Sequence, residues 1–74
     1  MQLHAVVVDI FEGATKFRYP IVRHVFYGRD KGEAEGYFRA HMETDEFLRS
    51  CVQKKQWNGV TCEAEVFSET VKHA

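Results

Sequence analysis

The chain has 74 residues, of which 45% are hydrophobic and 14% aromatic, and its formal net charge at pH 7 is −1. This length predicts a single domain over residues 1–74, and the apolar content together with 28% charged residues argues against intrinsic disorder. A net charge near zero argues against a general electrostatic attraction to nucleic acid or to an anionic membrane.

The first predicted strand, residues 3–11, is apolar at both alternating sets of positions. A strand covered on one face alternates apolar and polar residues, whereas this pattern is typical of a central strand covered on both faces. A chain of this length offers one helical layer, which shields one face. We therefore expect the other face to contact a partner subunit or a different protein.

A turn at residues 12–15 separates this strand from a second extended run at residues 16–27, which is rich in aromatic and β-branched residues. Pro20 has no N–H group to donate to a neighbouring strand. The second strand is therefore expected at an edge of the sheet, with the first strand at its centre.

A tight loop at residues 13–15 would pair residues of the hairpin whose numbers sum to 28. This register predicts His4 opposite His24. It also predicts Asp9 opposite Tyr19, where the carboxylate and the phenol would form a structural hydrogen bond.

A helical region follows the hairpin. Asp30 precedes Glu33 by three residues, the spacing of a capping box, and apolar residues then recur at intervals of three and four. Thr44 is predicted to be a second N-cap, and the apolar stripe continues to Val52. The pattern predicts either one long, kinked helix or two short ones.

The third strand is predicted where apolar and polar residues alternate after the turn at residues 58–59. Its inward positions are Val60, Cys62, Ala64 and Val66. The predicted fold is α+β, a two-layer ββαβ domain. Its three-stranded antiparallel sheet has the order 2-1-3, with one kinked or broken helix on one face. The core is expected over about residues 2–68, and residues 69–74 are expected to form a flexible tail.

No spacing in the chain is diagnostic of catalysis. Cys51 and Cys62 lie in no CxxC arrangement and are expected to be reduced core thiols. His4 and His24 are weak candidates for a metal site under the register above, because two imidazoles make an incomplete site and no HxH spacing supports them. We predict no cofactor and no enzymatic activity; a small metal-dependent enzyme is an alternative.

The N-terminus has no basic stretch followed by an uninterrupted apolar run, and no segment approaches about 18 apolar residues. A cytoplasmic location is the expectation.

Charge is distributed unevenly along the chain. Residues 13–32 contain five Lys or Arg residues and one Asp, whereas residues 33–50 contain five acidic residues and two Arg. Aromatic residues interleave with the basic ones, as in surfaces that stack single-stranded bases. The alternative function is therefore single-stranded nucleic-acid binding by the basic hairpin. Its candidate residues are Arg18, Arg23, Arg29 and Lys31.

Protein binding is the leading interpretation, because it draws on the doubly apolar strand, the edge strand and the small size of the domain. A homodimer, another protein, or both are the expected partners. The candidate interface residues belong to types that anchor protein interfaces. They are Val7, Phe11, Phe17, Tyr19, Arg23 and Tyr27.

Short motifs between residues 22 and 62 resemble small uncharacterised proteins encoded by bacteriophages and prophages. They are the runs at residues 24–28, 33–35, 45–48 and 57–60, with His41 between the second and third. The resemblance implies a compact accessory protein that binds and inhibits or modulates a host factor, such as a defence system. It implies no catalytic residue.

Overall fold

The computed structural model describes residues 2–13 and 19–72. Three strands and two helices follow one another along this part of the chain. They are β1 (Gln2–Glu12), β2 (Val22–Gly28), α1 (Lys31–Thr44), α2 (Glu46–Val52) and β3 (Cys62–Lys72). The strands form one antiparallel sheet in the order β2-β1-β3. The α+β class, the sheet order and the central position of β1 are thus confirmed.

Both helices pack on one face of the sheet. Val6, Val8 and Ile10 of β1 form the centre of the core, because alternate side chains of a strand point to the same face. The buried residues that meet them come from the helices and the start of β3. They are Ala34, Leu48, Cys51 and Cys62.

The pairing of β1 with β2 differs from the predicted register. His4 pairs with Gly28 and Asp9 with Arg23, so the paired numbers sum to 32 instead of 28. The connection is longer than the tight loop assumed, since the N–H of Gly13 donates to Thr61 (2.8 Å) instead of closing a three-residue turn. An offset of four residues is even, so residues of β1 and β2 that the predicted register placed on the same face of the sheet still share a face.

β2 is also shorter than the predicted run at residues 16–27. The strand begins at Val22, two positions after Pro20, and residues 16–18 lie outside the described part of the chain. β2 forms an edge of the sheet, as the proline predicted.

The predicted kinked or broken helix consists of two separate helices, so the ββαβ outline becomes ββααβ. The predicted cap at Asp30 is confirmed, because its carboxylate accepts from the N–H of Glu33 (2.9 Å). The predicted cap at Thr44 is wrong. Asp45 has an extended backbone (φ −115°, ψ 96°) and its carboxylate accepts from the N–H of Leu48 (3.0 Å), which starts α2.

The third strand starts and ends later than predicted. Val60 bonds to Trp57 across a tight turn in which Asn58 (φ 49°) and Gly59 (φ 78°) both have positive φ, as a type I′ turn requires. β3 then pairs with all of β1, as far as Gln2 with Lys72. The flexible tail predicted from residue 69 is therefore wrong for residues 69–72, while 73–74 lie outside the described residues.

Neither helix in the described ranges combines the length and the apolar composition needed to cross a lipid bilayer.

Candidate protein interface

The sheet face opposite the helices is called the open face here. Its central side chains are Ala5, Val7, Asp9 and Phe11, which alternate with the core residues along β1. The strand register places neighbours on each side of them. The open-face residues of β2 are Arg23, Val25 and Tyr27, and those of β3 are Glu63, Glu65, Phe67, Glu69 and Val71.

β1 is buried on both of its faces, as its apolar pattern predicted. Val7 is only 2% exposed, although both helices pack on the other side of the sheet. Val25 and Phe67 both pair with Val7, so the three residues form one row across the sheet. They flank Val7 on the two outer strands.

A bidentate ion pair lies at one end of the open face. The guanidinium of Arg23 donates from Nε to Oδ1 of Asp9 (2.6 Å) and from Nη2 to Oδ2 (2.8 Å). These hydrogen bonds lower the pKa of Asp9 from its ordinary value, against the opposing effect of burial, since Asp9 is only 6% exposed. The predicted partner of Asp9, Tyr19, is therefore replaced by Arg23, four positions later in the chain.

Large aromatic side chains remain exposed at the other end. Tyr27 on β2 is 54% exposed and Phe67 on β3 is 41% exposed. They lie diagonally across β1, because Tyr27 pairs with Ala5 and Phe67 with Val7. Two exposed aromatic residues thus lie next to small, buried side chains. This arrangement is typical of the residues that anchor protein interfaces.

The end of the open face that carries Tyr27 and Phe67 forms the open-face patch. It consists of Leu3, Ala5, Val7, Val25, Tyr27, Phe67, Glu69 and Val71. Within this set Glu69 is the only charged residue, and it lies in the same row as Tyr27, on the far side of Ala5.

Four of the six predicted interface residues share the open face. Val7, Arg23 and Tyr27 lie in neighbouring rows, and Phe11 lies at the end beyond Asp9. The remaining two were Tyr19, which is exposed in the connection before β2, and Phe17, which lies outside the described residues.

Sequence reasoning missed Phe67. The signal was present, because residues 63, 65, 67, 69 and 71 alternate with the inward positions of β3. It was overlooked because the strand was expected to end near Ser68.

Each described cation of the nucleic-acid alternative has a carboxylate partner. Arg23 is bound to Asp9, and Arg29 to Glu33 at 3.0 Å. The ammonium group of Lys31 lies 3.9 Å from a carboxylate oxygen of Glu35. Arg18 lies outside the described residues. These pairings reduce the positive potential that an extended phosphate backbone would need.

The two histidines of the metal hypothesis are not opposite each other. His4 pairs with Gly28 and His24 with Val8. The ring of His24 instead lies 5.6 Å from that of His41, centroid to centroid. Among residues 2–13 and 19–72, no group of three or more His, Cys, Asp or Glu side chains is placed to hold a metal ion.

Both cysteines are free and buried, as predicted for core thiols. Burial, reinforced by the neighbouring Cys62, raises the pKa of the Cys51 thiol to about 11. A thiol in this environment stays protonated near neutral pH, which is the opposite of what a nucleophilic cysteine needs.

A groove of about 290 Å³ lies where the two helices meet, over Met42 and Val52. Arg49 lines this groove. Its guanidinium donates to the carbonyl of Met42 (3.0 Å), one of the carbonyl groups in the last turn of α1 that have no partner within the helix. Arg49 thus has a structural role, because it caps the C-terminal end of α1 from its position on α2.

Comparison of the chain with protein-family models, with curated proteins and with solved structures gives no match. The interpretation of the open face therefore rests on its own geometry.

Proposed function

We propose that this chain is a non-enzymatic protein-binding domain and that the open-face patch is its binding surface. The observation that carries the proposal is the exposure of Tyr27 and Phe67 on a sheet face that neither helix covers. Aromatic side chains of this kind contribute large contact areas with few rotatable bonds.

The shape of the patch favours a folded surface as its partner. Its central side chains, Ala5 and Val7, are small and buried and lie between the exposed Tyr27 and Phe67 on the outer strands. A third layer, packed about 10 Å above the sheet, would bury the aromatic residues as the helices bury the opposite face.

A photoreactive amino acid tests this proposal in cells that express the chain. The probe replaces Tyr27 in one variant and Tyr37 in another. The two positions are matched, because both tyrosines are 54% exposed and Tyr37 lies on α1, not on the open face. We expect a discrete protein adduct from position 27 and none from position 37, with the adduct identified by mass spectrometry. The absence of an adduct at position 27, or the same adducts from both positions, would contradict the proposal.

The inhibition of a host factor, which the resemblance to phage-encoded proteins implies, stays a prediction. The proposal for the open-face patch does not depend on it. Nucleic-acid binding is not advanced as a second function, because its described cations are each paired with a carboxylate.

A further inference from the structure

We propose that a second copy of this chain covers the open-face patch, in a dimer whose two-fold axis lies between the two sheets and runs parallel to β1. The inference rests on the proposed function, since it names the partner of the same surface. It commits to one occupant and to one arrangement.

Rotation about such an axis places β2 of each copy over β3 of the other. Because Tyr27, Ala5 and Glu69 form one row across the sheet, Tyr27 then faces Glu69 of the second copy. In the next row, Val25 faces Phe67 of the second copy. The central residues of β1 face their own counterparts at the axis.

Within its own chain Glu69 attracts the guanidinium of Arg23, whose Nε and Nη2 are bound to Asp9, and this arrangement adds a hydrogen-bond donor from the second copy. A carboxylate that is buried without a hydrogen-bond donor costs several kcal/mol or takes up a proton, at roughly the costs known for unpaired buried polar groups. The hydroxyl group of Tyr27 is a donor at the correct row, and two-fold symmetry supplies the contact twice. The apolar patch and its single acid therefore complement a second copy of themselves.

Side-chain size points to the same arrangement. Each of the two exposed aromatic residues, Tyr27 and Phe67, lies opposite a smaller or more flexible side chain of the other copy. Ala5 and Val7 line the axis, where the two sheets approach each other symmetrically. Large residues facing small ones let the layers interdigitate.

The other axis available to face-to-face sheets runs across the strands. It places β3 over β3, so that Glu69 faces Phe67, Glu69 or Val71 of the second copy, depending on the height of the axis. None of these side chains donates a hydrogen bond to a carboxylate, and two facing carboxylates repel. The geometry therefore selects the axis parallel to β1.

The expected dimer is weak. Three strands about 5 Å apart, with at most five residues on a strand, give a patch of no more than roughly 10 Å by 17 Å between strand axes. This is smaller than the area of about 800 Å² that each partner buries in a standard stable interface. We expect a dimer that dissociates on dilution in the micromolar range or above.

Cross-linking of two single-cysteine variants tests the arrangement. Tyr27→Cys and Glu69→Cys are purified separately and treated with a short bis-maleimide, alone and as an equimolar mixture. We expect covalent dimers in the mixture and several-fold fewer in either variant alone, because position 27 faces only position 69. In the mixed dimer, the second Tyr27–Glu69 contact keeps its natural residues.

Two controls accompany the experiment. The unmodified chain should give no cross-link, since Cys51 and Cys62 are buried. A mixture of Tyr37→Cys with Glu69→Cys should give none either, since Tyr37 is equally exposed but lies on a helix.

The outcomes separate the inference from the proposed function. A yield within either single variant equal to that of the mixture, or an equal yield with Tyr37→Cys, would overturn the arrangement. A monomeric mass by light scattering at all accessible concentrations, with no cross-link in the mixture, would overturn the second copy as partner. The protein-binding function itself fails if the photoreactive probe at position 27 captures no protein in cells, or gives the same adducts as the probe at position 37.

Discussion

At the scale of single residues, Gly28 shows how close the backbone of β2 comes to α1. A Cβ atom built at this position would lie 2.4 Å from the backbone N of Ala34 and 2.9 Å from the carbonyl C of Glu33. Real Cβ atoms do not approach backbone so closely, so any side chain at Gly28 would force the first turn of α1 away from the strand. The sequence marks this glycine only as the end of a strand.

Gly28→Ala should therefore lower the free energy of unfolding by about 3 kcal/mol, the upper end of typical overpacking costs. Gly36→Ala is the matched control, because nothing lies within 4 Å of the Cβ built there and the residue is inside α1. It should raise stability by roughly 0.5–1 kcal/mol through its helix propensity. Urea unfolding measures both, and similar effects of the two substitutions would contradict the close approach.

Asp9 makes the stability of the domain depend on pH. Its folded pKa is lowered by Arg23, so the ionised form is favoured by folding. The resulting stabilisation is complete above the unfolded pKa of about 4 and is lost as the pH falls through the lower folded value. We expect Asp9→Asn to be less stable than the natural chain at pH 6 but to lose less stability between pH 6 and pH 3.

Chemical unfolding at several pH values measures this difference. Glu43→Gln serves as the control, because it removes an exposed carboxylate and should leave the loss of stability between pH 6 and pH 3 unchanged. An equal loss of unfolding free energy between pH 6 and pH 3 in the natural chain and in Asp9→Asn would contradict the role of the ion pair.

At the scale of secondary-structure elements, the break between α1 and α2 depends on one side chain. Asp45 caps α2, whereas Thr44 only donates from its hydroxyl group to the carbonyl of His41 (3.1 Å). Asp45→Ala should cost about 1 kcal/mol, the usual effect of losing an N-cap. Thr44→Ala should cost clearly less, and the reverse order in urea unfolding would place the cap at the residue that the sequence favours.

The elements themselves were largely predictable, because each depends on a local pattern. The doubly apolar run predicted β1, and the Asp30–Glu33 spacing predicted the start of α1. The hairpin register was not predictable, since it depends on the length of the connection, and Gly13 bonds to Thr61 instead of closing a tight turn. The end of β3 was missed because it is set by pairing with β1, which no local pattern reports.

At the scale of the whole molecule, self-association should stabilise the fold through mass action. A dimer contributes stability that grows with protein concentration, so the melting temperature should rise over a hundredfold range of concentration. Tyr27→Asp should abolish the rise, because it removes an aromatic anchor and places a second acid opposite Glu69. Tyr37→Asp should retain it. A melting temperature independent of concentration in the natural chain would contradict a second copy as partner.

The sequence by itself determined the α+β class, the strand order and the burial of β1 on both faces, because alternation, capping and proline chemistry are local. Only the tertiary structure decided which residues share the open face. The alignment of Tyr27 with Glu69 requires two pairings of β1, with strands about 20 and about 65 residues away along the chain. Such long-range registers depend on the lengths of connections and on packing, and the patch exists only once both are formed.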